Sequence, residues 1–185
     1  GITFVFVLPW SLLLLAIPLF SMTPGLEAFS LQAKSALSAA HNALFIVSYA
    51  MFINAFGASS SLLLSDWELR ARKSHAAAFA LPSIGDMDKL IWRLVEIGFT
   101  LFMGGFVLAS VQLYMKYSSL PGSDVKELGA LATLLVYGVY LALRKYGDWR
   151  GTKAAWANVA GFILIVATLA LSSRAISYHG FFKWN

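Results

Sequence analysis

The chain has 185 residues, of which 59% are hydrophobic and only 12% are charged, and its net charge is +5. Soluble domains carry about 25% charged residues, so this composition excludes a soluble globular domain, a disordered chain and a nucleic-acid-binding domain. The sequence contains no Cys, which excludes disulfides and thiolate-bound metals. A mean hydropathy of +0.72 instead predicts an integral membrane protein in contact with the lipid bilayer.

Apolar segments succeed one another along the chain, without the alternation of apolar and polar residues that barrel strands require. They cover about residues 2–21, 35–64, 89–115, 128–143 and 154–176. Because a spanning helix needs about 20 apolar residues, they predict an all-α, polytopic bundle of about five transmembrane helices that forms one domain, residues 1–185. Residue 1 is Gly rather than Met, so we expect the sequence to be N-terminally incomplete.

Polar residues mark where the second span ends and the third begins. The stretch 66–73 is predicted to extend the second helix beyond its apolar part. Ser83 follows a Pro, and Asp86 comes three residues later, which is the spacing of a helix capping box. Residues 86–98 are therefore predicted to begin the third helix as an amphipathic segment at the membrane surface.

Basic residues are unevenly distributed between the two sides that these spans define. Nine lie on the side of the connections that follow the second and fourth segments: Arg70, Arg72, Lys73, Lys89, Arg93, Arg144, Lys145, Arg150 and Lys153. The other side has five: Lys34, Lys116, Lys126, Arg174 and Lys183. The positive-inside rule therefore predicts that the first side is cytoplasmic and that the C-terminus lies on the outer face.

Few polar residues lie inside the spans, and most are predicted to form contacts within a helix or between helices. Arg93 and Glu96 lie three residues apart, so they are predicted to pair along one helix face. Amides in the spans are predicted to form hydrogen bonds between helices; they are Asn54, Gln112 and Asn158. Glycines are predicted to let helices approach closely; they are Gly98, Gly104, Gly105, Gly138 and Gly161.

Two of the three histidines are predicted to lie at the same face of the membrane. His41 is near the outer end of the second segment, and His179 is just past the outer end of the fifth. Two neutral imidazoles are a usual ligand pair for haem iron, although two histidines also fall on one side by chance. His75 lies in a basic connection and is predicted to be solvated.

Several short motifs occur in the order found in one family of membrane proteins. They are His41 with Tyr49-Ala50-x-Phe52, the block 81–99, the acidic and basic residues at 124–127, and the blocks 133–144, 148–162 and 177–180. Together they resemble the cytochrome c assembly proteins, and most closely the CcsA and HemX-like branch of the CcsA, CcmC and HemX proteins. The resemblance covers about residues 36–180, and its most specific parts are 81–99 and Trp149-Arg150-Gly151.

The resemblance implies that the protein binds haem. His41 and His179 match the two external histidines of the family, so they are expected to be the axial ligands of a haem b iron. The chain differs from the family in its third connection, about residues 116–126, which contains no Trp where the family has a Trp-rich loop. Ala142 stands where the CcsA branch has a histidine within the membrane, so a haem site built on that position is not expected.

Three functions remain open on these grounds. The first is a haem-handling protein of cytochrome c maturation that works with a c-type cytochrome and its maturation partners. The second is a structural or bis-His haem electron-transfer subunit of a larger respiratory or photosynthetic membrane complex. The third is a HemX-like regulator of haem synthesis that acts through the basic stretches 66–89 and 144–153.

The resemblance also bears on where the protein lies and on whether it is an enzyme. It implies a bacterial-type inner membrane or an organellar membrane of bacterial origin. The sequence has no metalloprotease motif, phosphate-binding glycine loop, catalytic carboxylate pair or nucleophile elbow. These absences favour a protein that is not an enzyme, and they leave the question open.

Overall fold

The computed structural model describes residues 36–71, 83–117 and 125–181. These residues form four α-helices: α1 (Ala36–Arg70), α2 (Ile84–Tyr117), α3 (Val125–Tyr146) and α4 (Thr152–Phe181). Within these ranges there is no β-strand, so the all-α prediction is confirmed there. The predicted first span, residues 2–21, lies outside the described residues, and each of the other four predicted spans coincides with one of these helices, apart from residue 35, which is outside the described residues.

The helices extend beyond the apolar segments because polar residues continue or cap them. α1 continues through its predicted extension as far as Arg70, whose Nε lies 2.8 Å from the Asp66 carboxylate one turn earlier. α2 begins at Ile84, five residues before the predicted apolar segment, and the capping box is present. The Ser83 hydroxyl donates a hydrogen bond to the Asp86 carboxylate at 2.7 Å and accepts one from the Asp86 N–H at 3.1 Å.

The four helices pack as an antiparallel bundle in which each helix contacts its two neighbours. α1 packs against α2 and α4, and α3 packs against the other sides of the same two helices. The interior is apolar and largely aromatic. Its largest fully buried side chains include Phe52, Leu62, Ile91, Phe102 and Tyr137.

Small residues hold α1 close to α2, as the sequence predicted. A Cβ added to Gly98 would lie 3.1 Å from both Met51 and Phe52, and one added to Gly105 would lie 3.3 Å from Leu44. These separations are shorter than ordinary van der Waals contacts, so a larger residue at either position would require the neighbouring side chains to shift. At Gly138 the nearest atoms would be 3.8 Å away, and that glycine is not required by packing.

Hydrogen bonds between helices confirm one of the three amide predictions. Asn158 donates from Nδ2 to the Ser59 hydroxyl at 2.9 Å and so joins α4 to α1. The Nδ2 of Asn54 donates to the Ala50 carbonyl of its own helix at 2.7 Å, and its predicted bond to another helix stays a prediction. The Nε2 of Gln112 is buried and has no partner in the part of the chain that the structure describes.

The outside of the bundle is covered by large apolar side chains along its length. Val107, Leu135 and Ile163, for example, are half exposed or more on three different helices. All four helices are long and apolar enough to cross a bilayer. A continuous apolar surface is unfavourable in water and favourable against lipid tails, so the protein is an integral membrane protein with at least these four spans.

Candidate functional site

The register between α1 and α4 determines which residues meet at the ends of the bundle. Two contacts set this register: the Ser59–Asn158 hydrogen bond, and the stacking of Phe56 on Phe162 with ring centroids 4.6 Å apart. Both contacts show that α1 and α4 run in opposite directions. The N-terminal end of α1 therefore lies beside the C-terminal end of α4.

Both predicted ligand positions lie at that end. Ser59 and Asn158 are in contact and serve as the reference point. His41 precedes Ser59 on α1 by as many residues as position 176 follows Asn158 on α4. His179 lies three residues further on, which is about 4.5 Å along a helix that rises 1.5 Å per residue. Positions 41 and 179 are thus at nearly the same height, and we term this the histidine end. The side chain of His179 is outside the described part of the structure.

The imidazole of His41 has one ring nitrogen without a partner. The side chain is half-buried, and its Nδ1 is buried with no hydrogen bond to any residue that the structure describes. The ring packs edge-on against Phe45, with centroids 6.1 Å apart and planes at 89°. A buried polar atom without a partner is unfavourable in a folded protein, so this imidazole is suited to a further bond.

A row of aromatic side chains continues inward from His41. Phe45 and Tyr49 follow at intervals of four residues, which places the three rings on one face of α1. Phe102 of α2 closes on this row, with centroids 5.0 Å from Phe45 and 5.7 Å from Tyr49. Gly105 makes this approach possible because it leaves room for Phe45. The histidine end therefore has an aromatic cluster beside an imidazole, in which Phe45 and Tyr49 are partly exposed and Phe102 is fully buried.

These residues fit the binding of haem through two imidazoles. A six-coordinate haem needs one nitrogen ligand on each side of the iron and apolar contacts around the macrocycle. His41 supplies a candidate nitrogen, position 179 lies at nearly the same height on the neighbouring helix, and Phe45 and Tyr49 supply partly exposed apolar surface. Among the described residues there is no cluster of three or more His, Asp and Glu that could hold a metal ion by itself.

The opposite end of the bundle, which we term the basic end, comprises the start of α2, the end of α3 and the start of α4. Its centre is an ion pair between Asp88 and Arg144. The Arg144 Nη1 donates to Asp88 Oδ1, and Nη2 donates to Oδ2 at 3.1 Å and to the Asp88 backbone carbonyl at 3.2 Å. The two side chains are only 14% and 6% exposed, so the pair is nearly buried.

The loop into α4 completes this ion pair. The Gly151 N–H donates to Asp88 Oδ1 at 2.9 Å, and the Arg144 guanidinium lies 5.4 Å from the centroid of the Trp92 ring. The loop is tight, since Asp148 and Gly151 have φ values of 51° and 60°. Asp88, Arg144 and Gly151 thus bring together the sequence blocks 81–99, 133–144 and 148–162.

This ion pair was not predicted from the sequence, and the predicted one is wrong. Arg93 and Glu96 are both exposed and form no ion pair with each other within the described part of the chain. An exposed pair on one helix contributes little, whereas Asp88 and Arg144 are enclosed by three helices. The sequence did contain a signal for this contact. The three blocks that Asp88, Arg144 and Gly151 bring together are among those on which the resemblance to a known family rested.

Two further sequence predictions lie outside the described residues. His75 and the adjoining part of the basic connection belong to 72–82, and most of the connection without Trp belongs to 118–124. Their predicted roles stay predictions.

Antiparallel apolar spans with histidines at one end define a polytopic, all-α membrane protein. A family model described as "Cytochrome C assembly protein" matches residues 1–177. The chain therefore belongs to the cytochrome c assembly protein family, and the resemblance seen in the sequence is confirmed.

Known relatives fall in the branch that the motifs indicated. Protein HemX of Bacillus subtilis (strain 168) is 27% identical over 169 residues, which are 91% of this chain and 61% of HemX. The cytochrome c biogenesis protein CcsA of Synechococcus sp. (strain RCC307) is 31% identical over 96 residues, which are 51% of this chain and 31% of CcsA. The CcsA of Cyanophora paradoxa is 35% identical over 79 residues, or 43% of this chain and 24% of that protein.

The chain thus spans less than two thirds of the length of each of these relatives. No solved structure matches it.

Proposed function

We propose that this protein handles haem in cytochrome c maturation and holds the iron of haem b between His41 and His179 at the outer face of the membrane. The observation that carries the proposal is the antiparallel register of α1 and α4, which puts both positions at the histidine end. Membership of the cytochrome c assembly family and the unpartnered Nδ1 of His41 support it independently.

Each part of the histidine end has a task in this proposal. His41 and His179, on two neighbouring helices, would hold the iron through their imidazoles, and the haem would supply the group that is passed to a cytochrome. Phe45 and Tyr49, which are partly exposed, would contact the apolar macrocycle, and the buried Phe102 supports their rings from within the bundle. The protein thereby holds and presents haem, and attachment to a c-type cytochrome is completed with maturation partners.

The excess of basic residues at the opposite end supports the outward orientation of this site. Nine Lys and Arg lie on the side of the basic end and five on the side of the histidine end. By the positive-inside rule, the basic end faces the cytoplasm and both histidines face outward.

An absorption spectrum of the protein purified in detergent tests the proposal. We expect a reduced-minus-oxidised spectrum of the b type in the wild type, and its loss in both His41→Ala and His179→Ala. His75→Ala is the matched control, because it removes a histidine from the opposite side, and it is expected to keep the spectrum. A wild-type protein without haem, or a His41→Ala protein with full haem content, would contradict the proposal.

The partners that purify with the protein separate maturation from the other functions. Loss of c-type cytochromes on deletion of the gene is expected for a maturation protein. Redox subunits in equal amounts would instead identify a subunit of a larger complex. Absence of haem together with a bound cytoplasmic enzyme would identify a regulator that acts through its basic end.

A further inference from the structure

A cleft of about 570 Å³ opens at the basic end, and cationic side chains surround it. It lies between the start of α2, the end of α3 and the loop into α4. Its cations are Lys89, Arg144, Lys145 and Arg150, and its apolar wall includes Ile84 and Trp92. Asp88 is the single carboxylate among the residues that line it.

The one carboxylate of the cleft is already neutralised. Asp88 accepts hydrogen bonds from the Arg144 guanidinium and from the Gly151 N–H. These bonds fix one wall of the cleft and leave no uncompensated negative charge within it. The three remaining cations outnumber the two carboxylates at the rim, Asp86 and Asp148, so the cleft keeps a net positive charge.

Three of these cations are available to a ligand. Lys145 is exposed and forms no ion pair within the described residues; its ammonium lies 5.5 Å from the Tyr146 ring centroid. Lys89 and Arg150 are paired with acidic neighbours at the rim, but their side chains are 80% and 75% exposed. Exposed ion pairs are weak, so both side chains can turn to an anion in the cleft.

The position of the cleft favours a ligand that reaches it from the membrane surface. The apolar span of α3 ends at Tyr146 and that of α4 begins at Thr152, so the cleft is at the boundary between lipid and water. The positive end of the α4 dipole lies beside it. An indole ring such as that of Trp92 is typical of this depth.

We propose that this cleft binds an anionic phosphate group, and that the group is the headgroup of an anionic phospholipid. Lys145, Lys89 and Arg150 contact the phosphate through charge-assisted hydrogen bonds, and the acyl chains continue along the apolar surface of the bundle. Asp88 and Arg144 position the wall and do not contact the lipid. This inference does not depend on haem binding at the histidine end.

Native mass spectrometry of the detergent-solubilised protein tests the proposal, with phosphatidylglycerol and zwitterionic phosphatidylcholine as probes. We expect one molecule of phosphatidylglycerol to bind more tightly than phosphatidylcholine. Lys145→Gln/Arg150→Gln is expected to weaken this binding about 30-fold, since each cation near an anionic headgroup contributes roughly fivefold.

Arg70→Gln/Arg93→Gln is the matched control. It removes the same charge from exposed positions on the same side that do not line the cleft, and we expect it to change the affinity less than twofold. If the two double variants lost affinity for phosphatidylglycerol equally, the proposal would be overturned, because lipid binding would then depend on the overall charge of the protein. A titration with inorganic phosphate distinguishes the source of the group. Phosphate bound in the cleft without any preference for phosphatidylglycerol would overturn the lipid assignment.

Discussion

The two ends of the bundle differ in the bonding of one central polar group at each end, the Asp88 carboxylate and the His41 imidazole. At the basic end the Asp88 carboxylate has donors from Arg144 and Gly151, and the guanidinium has acceptors from both the side chain and the backbone of Asp88. At the histidine end the buried Nδ1 of His41 has no partner among the described residues. A satisfied cluster fixes the positions of helices, whereas an unsatisfied group gains from a ligand. The comparison indicates a structural role for the Asp88–Arg144 pair and supports the proposed ligand role of His41.

Breaking the ion pair at the basic end is expected to have the largest effect. Arg144→Ala leaves the Asp88 carboxylate nearly buried without its counter-charge, which costs roughly 3–5 kcal/mol of unfolding free energy for a buried pair. Chemical unfolding in detergent micelles measures this loss. Arg70→Ala is the control, because its pair with Asp66 is exposed, and such pairs contribute about 1 kcal/mol or less. Equal losses in the two variants would contradict a structural role for the basic end.

Overpacking the α1–α2 contact is expected to have the next largest effect. Gly98→Val places new atoms against Met51 and Phe52, where even a Cβ would lie at 3.1 Å. Overpacked cores typically lose about 1–3 kcal/mol, and the same unfolding experiment applies. Gly57→Ala is the control, since a Cβ there meets nothing within 4 Å. A destabilised control with an unaffected Gly98→Val protein would show that the contact between α1 and α2 is placed wrongly.

Removing the hydrogen bond between α1 and α4 is expected to lower the unfolding free energy by less than either of these changes. Asn158→Ala deletes the bond to Ser59, and bonds of this kind between membrane helices contribute about 0.6 kcal/mol on average and up to about 1.7 kcal/mol. Asn54→Ala deletes an amide whose bond within the described residues is to its own helix, so its effect is expected to be smaller. If Asn54→Ala lowered the unfolding free energy more than Asn158→Ala did, the register of α1 against α4 would lose its support.

The smallest effect on stability is expected at the histidine end. His41→Ala removes an Nδ1 atom that has no partner in the described structure, so no hydrogen bond of this atom to a described residue is lost. We expect the unfolding free energy of the haem-free protein to change by about 1 kcal/mol or less, in line with substitutions away from structural clusters. Unfolding of haem-free protein is the measurement, and a loss as large as that of Arg144→Ala would contradict the assignment of this end to binding.

The sequence alone predicted the features that local patterns determine. Apolar runs predicted the spans, the Ser83–Asp86 spacing predicted the start of α2, and Gly98 and Gly105 were recognised as close-contact positions. These features depend on neighbours in sequence or on residue size.

Features that depend on how helices pack could not be predicted in the same way. Asn54 and Asn158 are the same residue type in similar apolar surroundings, and only the bundle determines that Asn158 points to another helix. Asp88 and Arg144 are far apart along the chain, and their pairing requires the ends of α2 and α3 to meet. The sequence placed His41 and His179 on one side of the membrane, and the register of α1 on α4 added that the two positions are at nearly the same height.

The distance between positions 41 and 179 tests the central claim most directly. The chain has no Cys, so His41→Cys/His179→Cys can carry two spin labels for a pulsed electron paramagnetic resonance measurement. We predict a distance below about 25 Å, because packed helices lie about 8–10 Å apart and the labels add their own length. The control pair His41→Cys/Arg70→Cys spans α1 and is expected near 44 Å at about 1.5 Å per residue. A 41–179 distance as long as that of the control would contradict a shared site at the histidine end.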